Sequence, residues 1–216
     1  MAENMSTGTR ARIITAATEL MRRQGYGATT VKELTVAAGA PIGSLYHHFP
    51  EGKEQIAAEA LRTSGAAYIQ LLPLLMDPYD DLREAVPAAF TAAAADMEQS
   101  GWMNMCPVGT VAGEIADSRP ALREVAAEVV ESWIEQGTDY LVGRGVRRGP
   151  ARELMVAMLG ALEGAFILSR TLHSPEPLHA AGRAMSAQLE IALRAGADTS
   201  DDDADRGKAL RDGEFR

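Results

Sequence analysis

Residues 29–56 read TTVKELTVAAGAPIGSLYHHFPEGKEQI, and this stretch decides the fold of the N-terminal part of the chain. It predicts two short helices joined by a tight turn at Gly39, because glycine accepts the left-handed backbone that such a turn requires. Thr30 and Glu33 have the spacing of a capping box at the start of the first helix. Pro41 suits the first turn of the second helix, where its missing N–H costs nothing.

The same stretch has the hydrophobic pattern of a helix-turn-helix. Leu34 and Leu45 are placed to hold both short helices against a preceding helix, and small residues before the turn let the two helices cross closely. The second helix then directs a set of side chains outward at its start, and it has the size that fits the major groove of DNA. These outward residues are Ile42, Gly43, Ser44 and His47.

The rest of the chain also predicts helices, since apolar residues recur every three or four positions and alternating β-branched runs are absent. A helix from Thr9 to Gln24 precedes the motif and stops at Gly25. Pro87 is expected to kink a later helix or to mark a boundary. The helices expected beyond residue 50 span 52–72, 79–99, 107–116, 120–143, 150–172 and 177–195.

These patterns predict an all-α protein with two domains. An N-terminal three-helix helix-turn-helix domain spans 9–52, and a C-terminal helical domain for ligand binding and dimerisation spans 53–195. Residues 1–8 are expected to be disordered, and so is the acidic tail 196–216, which is polar and contains a run of three aspartates.

Net charge is unevenly distributed along the chain. The formal net charge is -9, which by itself argues against nucleic-acid binding. Residues 1–65, however, contain seven Lys and Arg against six Asp and Glu, so the acidity lies in the remainder of the chain. An acidic body therefore leaves room for a small DNA-reading unit.

Several other functions lack support in the sequence. No catalytic motif occurs, so no catalytic residue, cofactor or enzyme activity is expected. His47 and His48 diverge by about 100° on a helix, so no metal site is expected. The lone Cys106 fits an inert buried thiol better than a redox sensor. The N-terminus lacks a signal-peptide pattern, and the apolar stretch 154–169 carries Glu163, so a cytoplasmic protein without a membrane span is expected.

The letters of the motif resemble those of a known family. TVKEL at residues 30–34, GSLYHHF at residues 43–49 and the following Lys53 are similar to the DNA-binding unit of the TetR family of repressors. GAPIGSLYHHFPEGKEQ at residues 39–55 and MCPVGTVAGEI at residues 105–115 resemble its LmrA/YxaF-like subgroup. Thr35 departs from the alanine usual in the family, and Ile42 is apolar where the subgroup commonly has a polar or basic residue.

The resemblance implies a role for each matching residue. Thr30 would cap the first short helix and touch a phosphate, while Lys32 would reach the DNA backbone or a base edge. Lys53 would bind a phosphate. The remaining candidates lie on the second short helix: Ile42, Gly43 and Ser44 would meet base edges, and Tyr46 and His47 would meet the DNA backbone.

The second domain contains many large, soft side chains. Most should form the core, but methionine and aromatic residues also line adaptable apolar pockets. Glu163 is costly to bury alone, so it is expected to pair with an arginine, to lie at a dimer seam or to orient a ligand. The pocket candidates are Tyr68, Phe90, Met97, Trp102, Met105, Trp133, Tyr140, Met158, Glu163 and Phe166.

The resemblance further implies a ligand-responsive repressor. The last two long helices would form a four-helix seam in a homodimer, with a charge at Leu162 expected to break it. A two-fold dimer would bind a palindromic double-stranded DNA operator. A hydrophobic small-molecule effector would release it by favouring a different spacing of the DNA-binding units. The alternative is an all-helical protein that binds a small molecule or a partner and does not bind DNA.

Overall fold

The computed structural model describes residues 8–212, with side chains over residues 8–195. Every regular element in that range is an α-helix, as the periodicity predicted. The predicted disorder of residues 1–7 and 213–216 lies outside the described residues. The helices are α1 (Thr9–Ala28), α2 (Val31–Ala38), α3 (Ile42–His48), α4 (Lys53–Tyr68), α5 (Leu71–Met76), α6 (Leu82–Gln99), α7 (Pro107–Ile115), α8 (Pro120–Gly143), α9 (Arg148–Leu172) and α10 (Glu176–Asp212).

Two predicted helix boundaries are corrected by the structure. The segment expected to be one helix over 52–72 is two, α4 and α5, because Pro73 lacks the N–H that would bond to the carbonyl of Ile69. Pro87 marks no boundary, since it lies inside the continuous helix α6.

Helix α10 is longer than predicted. Its backbone continues to Asp212, through the segment expected to be disordered from Gly196 onward. Gly196 alone does not stop the helix because no proline follows it, and a single glycine only lowers the helix propensity. The predicted end near residue 195 is therefore wrong for the described backbone.

The buried side chains form two clusters. The first runs without a break from α1, α2 and α3 through α4 to α7 and α8, so the helix-turn-helix shares a core with the rest of the chain. The second joins α6, α9 and α10. Helix α9 is long and apolar enough to cross a membrane by length and composition, and in the structure it packs against α6, α8 and α10. We refer to residues 9–52 as the head and to residues 53–195 as the body.

Candidate nucleic-acid interface and ligand cavity

The N-terminus of α2 is fixed by the predicted capping box. The Thr30 hydroxyl accepts a hydrogen bond from the backbone N–H of Glu33 at 3.2 Å, and the Glu33 carboxylate accepts one from the backbone N–H of Thr30 at 2.8 Å. Both orphan donors at the helix start are thereby satisfied. The side chains of Thr30 and Lys32 remain exposed at this end of α2.

The turn between α2 and α3 depends on Gly39. Its backbone is left-handed (φ 56°, ψ 41°), and its N–H closes α2 by bonding to the carbonyl of Val36. Thr35, which departs from the usual alanine, donates its hydroxyl to the carbonyl of Lys32 at 2.8 Å. The extra polar group is therefore satisfied within its own helix and does not disturb the turn.

Helix α3 has one buried and one exposed side. Leu45 and Phe49 are fully buried against the head, as expected for Leu45. Ile42 is 59% exposed and Tyr46 is 48% exposed. Gly43 and His47 are also exposed, and Ser44 is half-buried. The predicted DNA-facing residues of α3 thus share one accessible surface.

The side chain of Lys53 is more restrained than that of a typical surface lysine. Its ammonium lies 4.2 Å from the centre of the Tyr26 ring and 3.4 Å from the carbonyl oxygen of Gly27. Partial burial at this position lowers the pKa of Lys53. The side chain is held beside the start of α4 and next to the end of α1, so its charge has a defined position.

Two polar contacts that no sequence pattern indicated join the head to the body. The Glu114 carboxylate on α7 accepts hydrogen bonds from the backbone N–H groups of Tyr26 and Gly27 at 2.7 and 2.6 Å. A Cβ at Gly25, whose φ is 80°, or at Gly27 would overlap that carboxylate, so both glycines are needed for the contact.

The second contact runs from α1 to the segment between α6 and α7. The Arg22 guanidinium donates to the carbonyl of Met103 at 2.6 Å and to the side-chain oxygen of Asn104 at 2.8 Å. Glu19 pairs with the same guanidinium at 2.8 Å. Asn104 in turn donates to the carboxylate of Asp96. Arg22 lies 81 and 82 positions from Met103 and Asn104 in the chain, and for this reason no local pattern predicted these bonds.

A cavity of about 350 Å³ lies in the body, surrounded by α4, α5, α6, α8 and α9. Its wall is mostly apolar, and Asp96 and Asn104 provide polar atoms. Asn104 therefore touches both the cavity and the head. The predicted candidates that line it are Tyr68, Phe90, Met105, Trp133, Met158 and Phe166, and further lining residues that were not singled out include Leu72, Met155, Leu159 and Leu162.

Four of the predicted pocket residues do not line this cavity: Met97, Trp102, Tyr140 and Glu163, the last of which lies beside a second cavity. Met97 is fully buried in the core. Trp102 has a positive φ of 66° and stacks on His173 with the ring centres 5.9 Å apart. The Tyr140 hydroxyl donates to Asp77 at 2.7 Å, and burial raises the pKa of Tyr140 to about 12. The sequence showed that these side chains are large. It did not show whether the side chains on helices face the cavity, or where Trp102, which lies between two helices, would point.

Glu163 lies beside a second cavity, of about 260 Å³, between α7, α8 and α9. Its carboxyl group contacts the Cys106 thiol, and its Oε1 is buried with no hydrogen-bond partner. Burial raises the pKa values of Glu163 and of Cys106. A Cβ at Gly109 would overlap the Glu163 carboxyl group. The predicted arginine partner of Glu163 does not occur among the ion pairs of the described residues.

Two family models match separate parts of the chain. Residues 13–60 match the model of the bacterial regulatory proteins of the tetR family, and residues 83–184 match that of the LmrA/YxaF-like transcriptional regulator C-terminal domain. The HTH-type transcriptional regulator YxaF of Bacillus subtilis strain 168 is 33% identical over 78% of this chain and 88% of its own. LmrA of the same strain is 32% identical over 81% and 93%.

The fold is also similar to that of solved structures. The regulatory protein TetR from Rhodobacter sphaeroides superposes with a TM-score of 0.71 and 22% sequence identity, over 82% of this chain and 96% of that one. Its crystal structure supports the same helical fold for the head and the body together.

Proposed function

This chain belongs to the TetR family of bacterial transcriptional regulators, in its LmrA/YxaF-like subgroup, and we propose that it is a repressor that binds a palindromic operator as a homodimer and is released by a hydrophobic ligand. The observation that carries the DNA-binding part is the exposed side of α3, which is fixed from behind by Leu45 and Phe49. DNA binding of this kind places the protein in the cytoplasm.

In the proposed complex, residues at the start of α3 contact base edges, and residues around them contact phosphates. Ile42 is exposed and apolar, so it contacts a thymine methyl group. Gly43 lets the helix approach the groove closely, and Ser44 reads an adjacent base. The residues assigned to the DNA backbone or to phosphates are Thr30, Lys32, Tyr46, His47 and Lys53, with Lys32 also within reach of a base edge.

The dimer forms through α9 and α10. Their outer sides carry apolar residues that the single chain leaves exposed, among them Ile167 at 57%, Leu168 at 53% and Ile191 at 60%. Leu162, predicted to lie at this seam, lines the large cavity instead, so it is unsuited to testing the dimer. A two-fold axis through such a seam presents two α3 helices to successive major grooves, which requires a palindromic operator.

The ligand acts through the large cavity. Asn104 lines this cavity and accepts a hydrogen bond from Arg22 in the head, and α7 holds the end of α1 through Glu114. A ligand that moves α7 or the Asn104 segment therefore changes the position of the head. Release from DNA then follows from a higher ligand affinity for the conformation with the wrong head spacing.

The experiment is a binding titration of the full chain against its own upstream DNA, with a scrambled fragment of equal length as the control. We expect specific binding that is strongest for a palindromic site and that weakens with salt. Equal binding to both fragments would contradict the repressor function. It would favour the alternative of a helical ligand-binding protein that does not bind DNA.

A further inference from the structure

The two cavities described above share a wall. Trp133 and Leu159 line both the larger cavity and the second cavity. Trp133 is held in place, because its indole N–H donates to the buried carbonyl of Gly65 at 2.7 Å. The Leu159 side chain has no polar atom, so a change of its rotamer breaks no hydrogen bond and is the simplest way to join the two spaces.

The second cavity contains a carboxyl group with unused hydrogen-bonding capacity. Oε1 of Glu163 is buried without a partner, and the Cys106 thiol hydrogen-bonds to the carboxyl group. The backbone at Gly109 leaves the space in which the carboxyl lies. A buried polar atom without a partner is costly, so a bound group that donates a hydrogen bond to it gains affinity.

The charges around both cavities have one sign. The ionisable residues that line them are Tyr68, Asp96 and Glu163, and no Lys, Arg or His is found among the lining residues in the described part of the chain. Arg22 bonds to Asn104 from the head, but it is paired with Glu19. These walls disfavour an anionic ligand and favour a cation.

We propose that the second cavity binds the protonated amino group of an amphiphilic amine against Glu163, while the apolar body of the amine fills the larger cavity. The proposal rests on the ligand sensing proposed above and names the chemical class of the ligand. The amino group gives Oε1 its missing donor, and its charge compensates that of the ionised carboxylate.

The amine also changes the protonation of Glu163. Burial raises the pKa of this carboxyl, so its neutral form persists to a higher pH in the ligand-free protein than it would on a solvent-exposed glutamate. The titratable groups that face it, Cys106 and Tyr68, have pKa values raised by burial and stay neutral. A cation in the second cavity stabilises the ionised carboxylate and so lowers the pKa of Glu163. The proton that Glu163 then loses passes to solvent.

The test is calorimetric titration of the full-length protein without DNA, using 6-phenylhexylamine, 6-phenylhexan-1-ol and 6-phenylhexanoate as matched probes. We expect the amine to bind at least tenfold more tightly than the alcohol and the carboxylate to bind most weakly. Glu163→Gln should weaken the amine at least tenfold and change the alcohol less than twofold. Glu153→Gln, at an exposed position of the same helix, should leave all three affinities unchanged.

Two further measurements distinguish a loss of amine binding from a loss of folding. Thermal unfolding should show that Glu163→Gln is folded, and amine binding to the natural protein should release protons, seen as a buffer-dependent enthalpy. The proposal is overturned if the alcohol binds as tightly as the amine, if no probe binds, or if Glu163→Gln binds the amine as tightly as the natural protein does. The calorimetric assay contains no DNA, so it tests amine binding separately from release. If the amine binds but does not change operator affinity in a separate titration, the release mechanism is contradicted and the amine site is not.

Discussion

At the scale of single residues, the DNA-facing surface is built from buried anchors. Leu45 and Phe49 are fully buried, and on a helix as short as α3 this fixes the orientation of every other side chain. Ile42 and Tyr46 are left exposed although they are large and apolar or aromatic. Such exposure is expected where a surface has a partner, and we propose that here the partner is DNA.

Lys53 provides a prediction about phosphate binding. Its ammonium is positioned by the Tyr26 ring and the Gly27 carbonyl. Lys53→Met should weaken binding to all DNA sequences by a similar factor and reduce the salt slope by about one, because one phosphate contact is lost. Lys53→Arg should keep the slope. A change of preference at one base pair of a randomised operator would contradict the phosphate role.

Glu163 provides a prediction about pH and stability. Burial raises its pKa in the folded protein, so the folded state keeps the proton to a higher pH than the unfolded state does. Stability therefore falls as pH rises from the unfolded pKa through the folded pKa, by about 1.4 kcal/mol for each unit between the two. The glutamine of Glu163→Gln does not titrate. The free energy of unfolding of this variant, measured in urea, should therefore increase relative to that of the natural protein between about pH 4 and the folded pKa. A pH-independent difference would show that the carboxyl is not shifted.

At the scale of elements, local signals were sufficient for the head. The capping box at Thr30, the turn at Gly39 and the buried Leu34 and Leu45 all act within a few residues, and each was predictable from the sequence. The hydrogen bonds of Glu114 to the end of α1 join residues 88 and 87 positions apart. Such contacts depend on how helices pack, which periodicity does not specify.

Glu114 provides a prediction about the junction of head and body. Glu114→Ala removes the acceptor of two backbone N–H groups, one of them on the buried residue Tyr26, and should lower the free energy of unfolding by about 1–2 kcal/mol. With α1 less firmly held, affinity for a full palindrome should fall several-fold while affinity for one half-site is retained. Glu98→Ala, at an exposed position on α6, is the control. Equal losses on both DNAs would place the effect inside the head.

At the scale of the whole molecule, the outer face of α9 and α10 is the proposed dimer interface. Ile167→Lys should raise the dimer dissociation constant at least tenfold, because a charge would be buried in an apolar seam. Leu74→Lys, at an exposed position on α5, should not. Sedimentation should give twice the 23.0 kDa chain mass for the natural protein. A natural protein that is monomeric and still binds a palindrome tightly would contradict the two-fold model.

The position of the ligand cavity was only partly predictable. Tyr68, Phe90 and Trp133 line it as expected, because large residues on the inner sides of several helices converge there. Trp102 does not, since its backbone has a positive φ and its ring stacks on His173. Residues between helices have no periodicity from which a direction can be inferred. A variant at Trp102 therefore serves as a control for variants of the ligand site.

The release mechanism leads to the last prediction. Moving the population from 1:99 to 99:1 requires a preference of about 5.5 kcal/mol between the two head spacings. A ligand that buries about 220 Å² of apolar surface in one state only would supply it at about 25 cal/mol per Å². The uncharged apolar fluorophore N-phenyl-1-naphthylamine, once shown to bind, should therefore release the protein from its operator.

Ala93 lines the large cavity, and Ala93→Leu should fill part of it. This variant should bind the fluorophore at least tenfold more weakly and stay on the operator when the fluorophore is added, with ligand-free DNA affinity nearly unchanged. Trp102→Ala should respond like the natural protein because its ring is outside the cavity. The decisive measurement is operator affinity with and without saturating fluorophore. Equal affinities would refute release by this ligand, and a normal response of Ala93→Leu would place the ligand elsewhere in the body.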